Sequence, residues 1–336
     1  MRAWGERHLV AVKRLQNILR SHGVANARVL EQKISDAGPG PQRVDPHILT
    51  DVRIRLMAAG TILARRVSNM PWYYLATTPL DTVDARLALL VPLQQEAQAA
   101  SGLVGQSLEI AVLRALKESN LEYFGDYLDL DAHDDSTLYS KEEPPASISG
   151  RRIPGKKLLD FLVLHHDAGY AGIEVKNVRE WFYPQREEVK EVLLKCCALN
   201  VVPVLIARRI HFSAFSVLNP CGVIIHQTFN QLYPNAESDL AARLRRKDLL
   251  GFHDIRVIDA DDAASTHDRL RTFFTDNLAG LLPAARVAFD EYKDLLCGYA
   301  NGTYAYAEFA ARVKRRQRGE PEGFDDEPEI DAPVEW

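Results

Sequence analysis

Two apolar runs carry charged residues where a buried strand pair would normally carry none. Residues 158–165 read Leu-Leu-Asp-Phe-Leu-Val-Leu-His, and residues 171–178 read Ala-Gly-Ile-Glu-Val-Lys-Asn-Val. Between them, Asp167-Ala168-Gly169 has the form of a three-residue hairpin loop, whose glycine accepts the left-handed conformation. Two antiparallel strands, about 157–165 and 171–178, are therefore expected. Side chains alternate along a strand, so Asp160 shares a face with Leu158, Leu162 and Leu164. Glu174 and Lys176 share a face, and Ile173 and Val175 take the other. The loop then sets Asp160 opposite or diagonal to Glu174 and Lys176, within roughly 5–8 Å. Two carboxylates and one ammonium group meet on an otherwise apolar hairpin. Buried carboxylates need a partner or change their pKa, and one lysine does not neutralise two of them. A divalent cation does, and hard oxygen ligands suit Mg2+ or Mn2+.

The surrounding elements must hold this patch. Upstream, Gly105-Gln-Ser-Leu-Glu-Ile-Ala-Val-Leu-Arg-Ala-Leu reads as a helix. Glu109 borders its apolar face, with Val112, Leu113 and Leu116 following at i+3, i+4 and i+7. Downstream, 187–199 reads as a helix, Val201-Val-Pro-Val-Leu-Ile-Ala-Arg as a buried strand and Gly222-Val-Ile-Ile-His as another.

Glu109 on a helix, Asp160 on a strand and Glu174-Val175-Lys176 on the next strand resemble the PD-(D/E)XK nuclease superfamily. The resemblance covers about residues 101–230, with Leu159 where the motif has its proline. The lead-in Gly105–Leu116 resembles the first core helix of the Holliday-junction-resolvase and restriction-endonuclease branches. It implies an α/β fold with a restriction-endonuclease-like αβββαβ core. It also implies that Glu109, Asp160, Glu174 and Lys176 are catalytic. Asp160, Glu174 and the Val175 backbone carbonyl would hold Mg2+, with Mn2+ as a substitute and Glu109 as a further or water-mediated ligand. The metal would acidify a water and polarise the scissile phosphodiester. Lys176, its pKa lowered beside the metal, would orient or help deprotonate that water and stabilise charge on the phosphate, leaving a 5′-phosphate product.

The N-terminal stretch has a different pattern. Leu9, Val10, Val12, Leu15, Ile18 and Leu19 make a helical stripe over 5–21, and a second helix is expected at 27–36, broken by Gly-Pro-Gly-Pro at 38–41. A third helix is expected at 46–59 through Ile48, Val52, Ile54, Leu56 and Met57. Two runs rich in β-branched and aromatic residues follow around Ser68-Asn69 and read as a hairpin. Three helices and a hairpin resemble winged helix-turn-helix domains, over residues 5–78. That resemblance makes 46–59 the recognition helix, with Arg53 and Arg55 near its exposed side and Arg65 and Arg66 on the wing, as phosphate or guanine contacts. The alternative is a small helical dimerisation domain with solvated arginines. Arg151 and Arg152, with Lys156 and Lys157, offer a basic approach to the hairpin site.

Length and composition fit this division. The 336 residues are 46% apolar and 26% charged, which suits a globular chain of about two domains. The net charge of −5 hides a gradient: residues 1–75 hold 12 Lys/Arg against 5 Asp/Glu, and 319–336 hold 8 Asp/Glu and no Lys/Arg. The expected organisation is a winged-helix-like DNA-binding domain at 1–78, a connector helix at 79–100 and the nuclease core at 101–235. A helical C-terminal extension at 236–318 and an acidic, disordered tail at 319–336 follow. No apolar run suits a transmembrane helix, the first residues lack a signal core, and Cys196, Cys197, Cys221 and Cys297 form no CxxC pair, so a reduced, cytoplasmic protein is expected.

Several motifs are decoys. Gly150–Lys157 imitates a phosphate loop but has Lys157 in place of Ser/Thr and leads into a strand, so no nucleotide cofactor is expected. The acidic stretch 126–135 lacks the glycine and closing glutamate of a calcium loop, and His165 and His166 read as punctuation at a hairpin end. The combined expectation is a Mg2+-dependent endonuclease acting on double-stranded DNA as a homodimer, in restriction, defence or repair. The alternatives are an inactive DNA-binding regulator that keeps the nuclease fold as a scaffold, and an RNA-directed nuclease.

Overall fold

The computed structural model describes residues 5–36, 44–130 and 135–321. The chain forms two compact units. Among the described residues, one comprises those up to 101 with 237–255, and the other comprises those of 102–236 with 256–321.

The first unit begins with α1 (Glu6–His22), β1 (Ala25–Asn26), α2 (Ala27–Ile34) and α3 (Pro46–Ala58). It continues with β2 (Ile62–Val67), β3 (Met70–Leu75) and α4 (Leu80–Ala99). Asn26 ends β1 and starts α2, its side chain accepting the Val29 N–H at 3.0 Å. The strands pair antiparallel in the order β1-β3-β2, and Ser68 and Asn69 turn the β2–β3 hairpin in the left-handed region. Ala11, Leu15 and Leu19 of α1, Val52 and Leu56 of α3, and Trp72 are buried. Ile54 and Met57, expected in the α3 stripe, are exposed. At 100° per residue, Ile54 lies on the far side of the helix from Val52 and Leu56. Helix α4 buries Val83, Leu87, Leu90 and Leu93 and counts with this unit rather than as a separate connector.

The second unit holds the charged hairpin. Its elements are α5 (Ser101–Lys117), β4 (Glu122–Phe124), β5 (Asp126–Tyr127), β6 (Lys141–Glu142), β7 (Ser147–Ile148) and β8 (Arg151–Arg152). Then come β9 (Phe161–His165), β10 (Gly169–Lys176), α6 (Glu187–Leu199), β11 (Val202–Ala207), α7 (Phe212–Leu218) and β12 (Ile224–Gln227). A mixed α/β architecture results, with one five-stranded sheet in the order β12-β11-β10-β9-β4. Its β4, β9 and β10 run antiparallel, and β10, β11 and β12 run parallel. The small ribbons β5–β6 and β7–β8 are inserted between β4 and β9.

The hairpin turns through His166-Asp167-Ala168, one residue earlier than expected, and Gly169 at φ +71° pairs with His165. Phe161 and Val163 join Ile173, Val175 and the Leu108, Val112 and Leu116 of α5 in the largest core. Leu159 and Leu162 join Val192, Cys196 and Leu199 of α6 in a smaller one. Helix α6 lies close to the sheet because position 172 is glycine. A Cβ there would fall 2.6 Å from Leu159 Cδ1, 3.1 Å from Cys196 Sγ and 3.2 Å from Val201 Cγ2.

The stretch expected to be one C-terminal extension is divided. Helix α8 (Ser238–Arg245) belongs to the first unit. Helices α9 (Ala264–Thr272), α10 (Leu278–Ala300) and α11 (Tyr306–Gln317) belong with the sheet. Helix α10 buries Leu282, Phe289, Leu295 and Leu296, and its Tyr299 hydroxyl donates to the Pro184 carbonyl at 2.6 Å. Long-range burial of this kind leaves no local signal in the sequence. The acidic tail lies, beyond residue 321, outside the described residues. No helix among the described residues is long and apolar enough to cross a membrane.

Candidate functional site

Asp160 immediately precedes β9, and its N–H donates to the Ile173 carbonyl at 3.0 Å. The register pairs Phe161 with Ile173, which sets Asp160 beside Glu174. The Asp160 carboxylate is held down on β10: Oδ2 accepts the Val175 N–H at 2.7 Å. Glu174, its side chain 4% exposed, accepts from Lys176 Nζ at 2.6 Å. The structure thus brings Asp160, Glu174 and Lys176 to one patch, with Val175 between the last two.

Three residues that the sequence reading did not single out complete the patch. Lys195 of α6, 5% exposed, donates to the two Glu174 oxygens at 3.2 and 3.0 Å and to the Leu158 carbonyl at 2.8 Å. It also pairs with Glu191 at 3.2 Å. Lys141 of β6 bridges Glu109 Oε2 at 2.9 Å and Asp160 Oδ1 at 3.0 Å. The Tyr127 hydroxyl of β5 donates to the same Glu109 oxygen at 2.6 Å. Lys195 had a visible signal: it interrupts Val192-Leu193-Leu194 and Cys196-Cys197 inside the apolar stripe of a helix. Lys141 sits in a short polar ribbon with no periodicity and had none.

These lysines change the charge balance. Glu109, Asp160 and Glu174 face Lys141, Lys176 and Lys195, and two further carboxylates, Glu143 and Glu191, pair with Lys141 and Lys195. The premise that a single lysine faces two carboxylates therefore does not hold. Burial raises the Glu174 pKa, and the Asp160 charge raises it further, against the pull of Lys176 and Lys195. Glu109 is raised likewise, by burial and then by Asp160. Burial pulls the Lys176 pKa down, but Glu174 and Asp160 outweigh it and the net shift is upward. The lowered value expected for Lys176 supposed a metal ion beside it, whereas carboxylates face it here. Lys176 is thus an ammonium at neutral pH, suited to hydrogen bonding and charge stabilisation.

A cavity of about 390 Å³ opens over the patch, lined by Asp160, Glu174, Lys176 and Lys195, with Lys156 and Lys157 also on its wall. Hard carboxylate oxygens and a position already taken by a cation, the Lys141 ammonium, fit a divalent ion in charge and ligand type. As they stand, Glu109, Asp160 and Glu174 do not draw within 4.8 Å of one another as a set of three among the described residues. His165, His166 and Asp167 do approach within that distance at the hairpin tip. There His165 Nδ1 accepts the Asp167 and Ala168 N–H groups at 3.2 and 3.3 Å and so closes the turn.

The arginines of the first unit are partly committed. Arg53 lies over the Tyr73 ring, Arg55 pairs with Asp51 at 2.9 Å and Arg65 pairs with Asp84. Arg66 is exposed and donates to the Asn69 carbonyl at 3.4 Å. Arg151 and Arg152 belong to the other unit and are exposed on β8. No family model matches the chain, and neither a curated protein nor a solved structure matches it.

Proposed function

We propose that the chain is a divalent-cation-dependent DNA endonuclease with a restriction-endonuclease-like PD-(D/E)XK core and a winged helix in its N-terminal unit. The observation that supports it most is the meeting of Asp160, Glu174 and Lys176 under an open polar cavity, at the junction of two adjacent strands. Helix α5, the antiparallel strands β4, β9 and β10, helix α6 and β11 follow in the order helix, three strands, helix, strand, which agrees with that reading.

Asp160 and Glu174, with Glu109 and the Val175 carbonyl, would hold Mg2+ or Mn2+. When bound, the ion would supply an acidified water and a polarised phosphodiester. Lys176, an ammonium, orients the water and stabilises charge gathering on the phosphate rather than removing a proton. Lys195 favours the ionised form of Glu174 by donating to both its oxygens. Lys156 offers the cavity wall a cation for a polyanion, while Lys157 there pairs with Glu191 at 2.9 Å. Cutting both strands of a duplex needs two such sites, hence a homodimer, and the reading fits restriction, defence or repair.

A second reading has an observation in its favour: each of Glu109, Asp160 and Glu174 is already paired with a lysine, as a structural ion cluster in a DNA-binding scaffold requires. Purified protein incubated with plasmid, linear duplex, single-stranded DNA and RNA, in Mg2+ or EDTA, separates the two. The expected result is Mg2+-dependent cutting of DNA that Asp160→Ala and Lys176→Ala abolish. Cutting that survives both substitutions, or duplex binding without any cutting, removes the endonuclease.

A further inference from the structure

The ribbon β5–β6 aims two donors at one carboxylate. Tyr127 and Lys141 are directly paired across it, the Tyr127 hydroxyl and the Lys141 ammonium both reach Glu109 Oε2, and Lys141 extends on to Asp160 Oδ1. Its side chain is 16% exposed, and a third carboxylate, Glu143, stands 3.9 Å away. An ammonium group between two mostly buried carboxylates does what a metal ion does there: it cancels their repulsion and satisfies their lone pairs.

We propose that Lys141 is a tethered counter-ion holding the cation position between Glu109 and Asp160, so that a divalent ion loads by exchange with its ammonium group. The inference rests on the metal reading given above and concerns how that site is regulated. An ammonium and a divalent ion do not share the same two oxygens, because each repels the other and each needs the same lone pairs. Lys141 therefore offsets part of the repulsion between Glu109 and Asp160 before loading and weakens divalent binding by competition. The flexible four-carbon stem lets the freed ammonium swing away while its backbone stays in the ribbon. Lys141 also lines the open cavity with Lys156 and Lys157. Exchange thus frees the Lys141 ammonium, already on that wall, from its two carboxylates.

The test is Mn2+ binding to the full chain without nucleic acid, followed by calorimetry, for the wild type, Lys141→Met, Lys141→Arg and Asp160→Asn. Lys141→Met binds Mn2+ about tenfold more tightly than the wild type, the equivalent of one modest ion pair. Lys141→Arg binds no more tightly than the wild type, and Asp160→Asn loses binding. A second readout needs no variant: Mn2+ increases acetylation of Lys141 by an amine-reactive ester, read by mass spectrometry. Lys141→Met binding equal to or weaker than the wild type overturns the exchange and leaves the metal reading standing. So does Lys141 labelling that Mn2+ leaves unchanged in a wild type that binds it. Absence of Mn2+ binding in both the wild type and Lys141→Met overturns the exchange and the metal reading together.

Discussion

Replacing Lys195 by methionine removes an ammonium from the interior and keeps most of its stem, so the cost is electrostatic rather than a packing defect. The wild-type ammonium donates to both Glu174 oxygens and to the Leu158 carbonyl. Breaking a buried ion pair costs about 3–5 kcal/mol, because the partner is left charged and unpaired. Lys176 still holds Glu174 Oε1, which places the loss at the lower end, about 3 kcal/mol. The loss must depend on pH. Glu174 already has a raised pKa, first from burial and then from Asp160, and loss of Lys195 raises it further. A group whose folded-state pKa lies above its unfolded value contributes stability at low pH and loses it as pH rises through the folded value. The deficit of Lys195→Met is therefore small near the ordinary carboxylate value of 4.5 and grows as pH rises. Urea denaturation in EDTA, followed by circular dichroism at about pH 5 and about pH 8, measures both. Adding Glu174→Gln to Lys195→Met should recover about 2 kcal/mol at the higher pH, as expected for residues in contact. A loss below about 1 kcal/mol, or one equal at the two pH values, would refute the buried pair.

Two further outcomes test the packing around the sheet. Gly222 has φ +81°, and a Cβ there would stand 2.3 Å from the Ala285 carbonyl oxygen and 2.4 Å from the Phe289 nitrogen of α10. Gly222→Ala should cost about 3 kcal/mol or more by denaturant titration, and a loss under about 1 kcal/mol would mean α10 does not pack there. Burial, and then Arg269, hold the His226 pKa down to about 4, and its ring stacks on Phe273. A depressed base contributes stability above its unfolded value of 6.5 and loses it as pH falls to about 4. The advantage of the wild type over His226→Phe should therefore shrink by about 2–3 kcal/mol across that window, and parallel pH curves for the two proteins would contradict it.

The charged hairpin was legible because a period of two is a hard constraint: once Asp160, Glu174 and Lys176 fall on one face of paired strands, they meet. The early turn through His166 left that face unchanged. Helices α3 and α6 were legible from their apolar spacing, although Ile54 shows that a helix in a small unit buries only a narrow stripe. What escaped depends on contacts between distant residues. Lys141 reaches Asp160 from an inserted ribbon, and α10 meets Gly222 from far along the chain. The division of residues 236–318 between two units follows from such burial, with no composition change to mark it. Lys176, on the same strand as Glu174, is visible as its counter-charge in the sequence, whereas Lys141 and Lys195 reach the carboxylates from other elements.

At Gly172 a hydrogen stands where a methyl group would collide with Leu159, Cys196 and Val201. Lys195 adjoins Cys196 on the same helix, so the depth at which that helix rests also sets the 3.0 Å separation of Lys195 from Glu174. A side chain at 172 would press on Leu159 first and then on Cys196, the neighbour of Lys195, and so strain that pair. A substitution that alters no charge would then register as an electrostatic defect, with missing volume in the strand acting as the spacer between opposite charges.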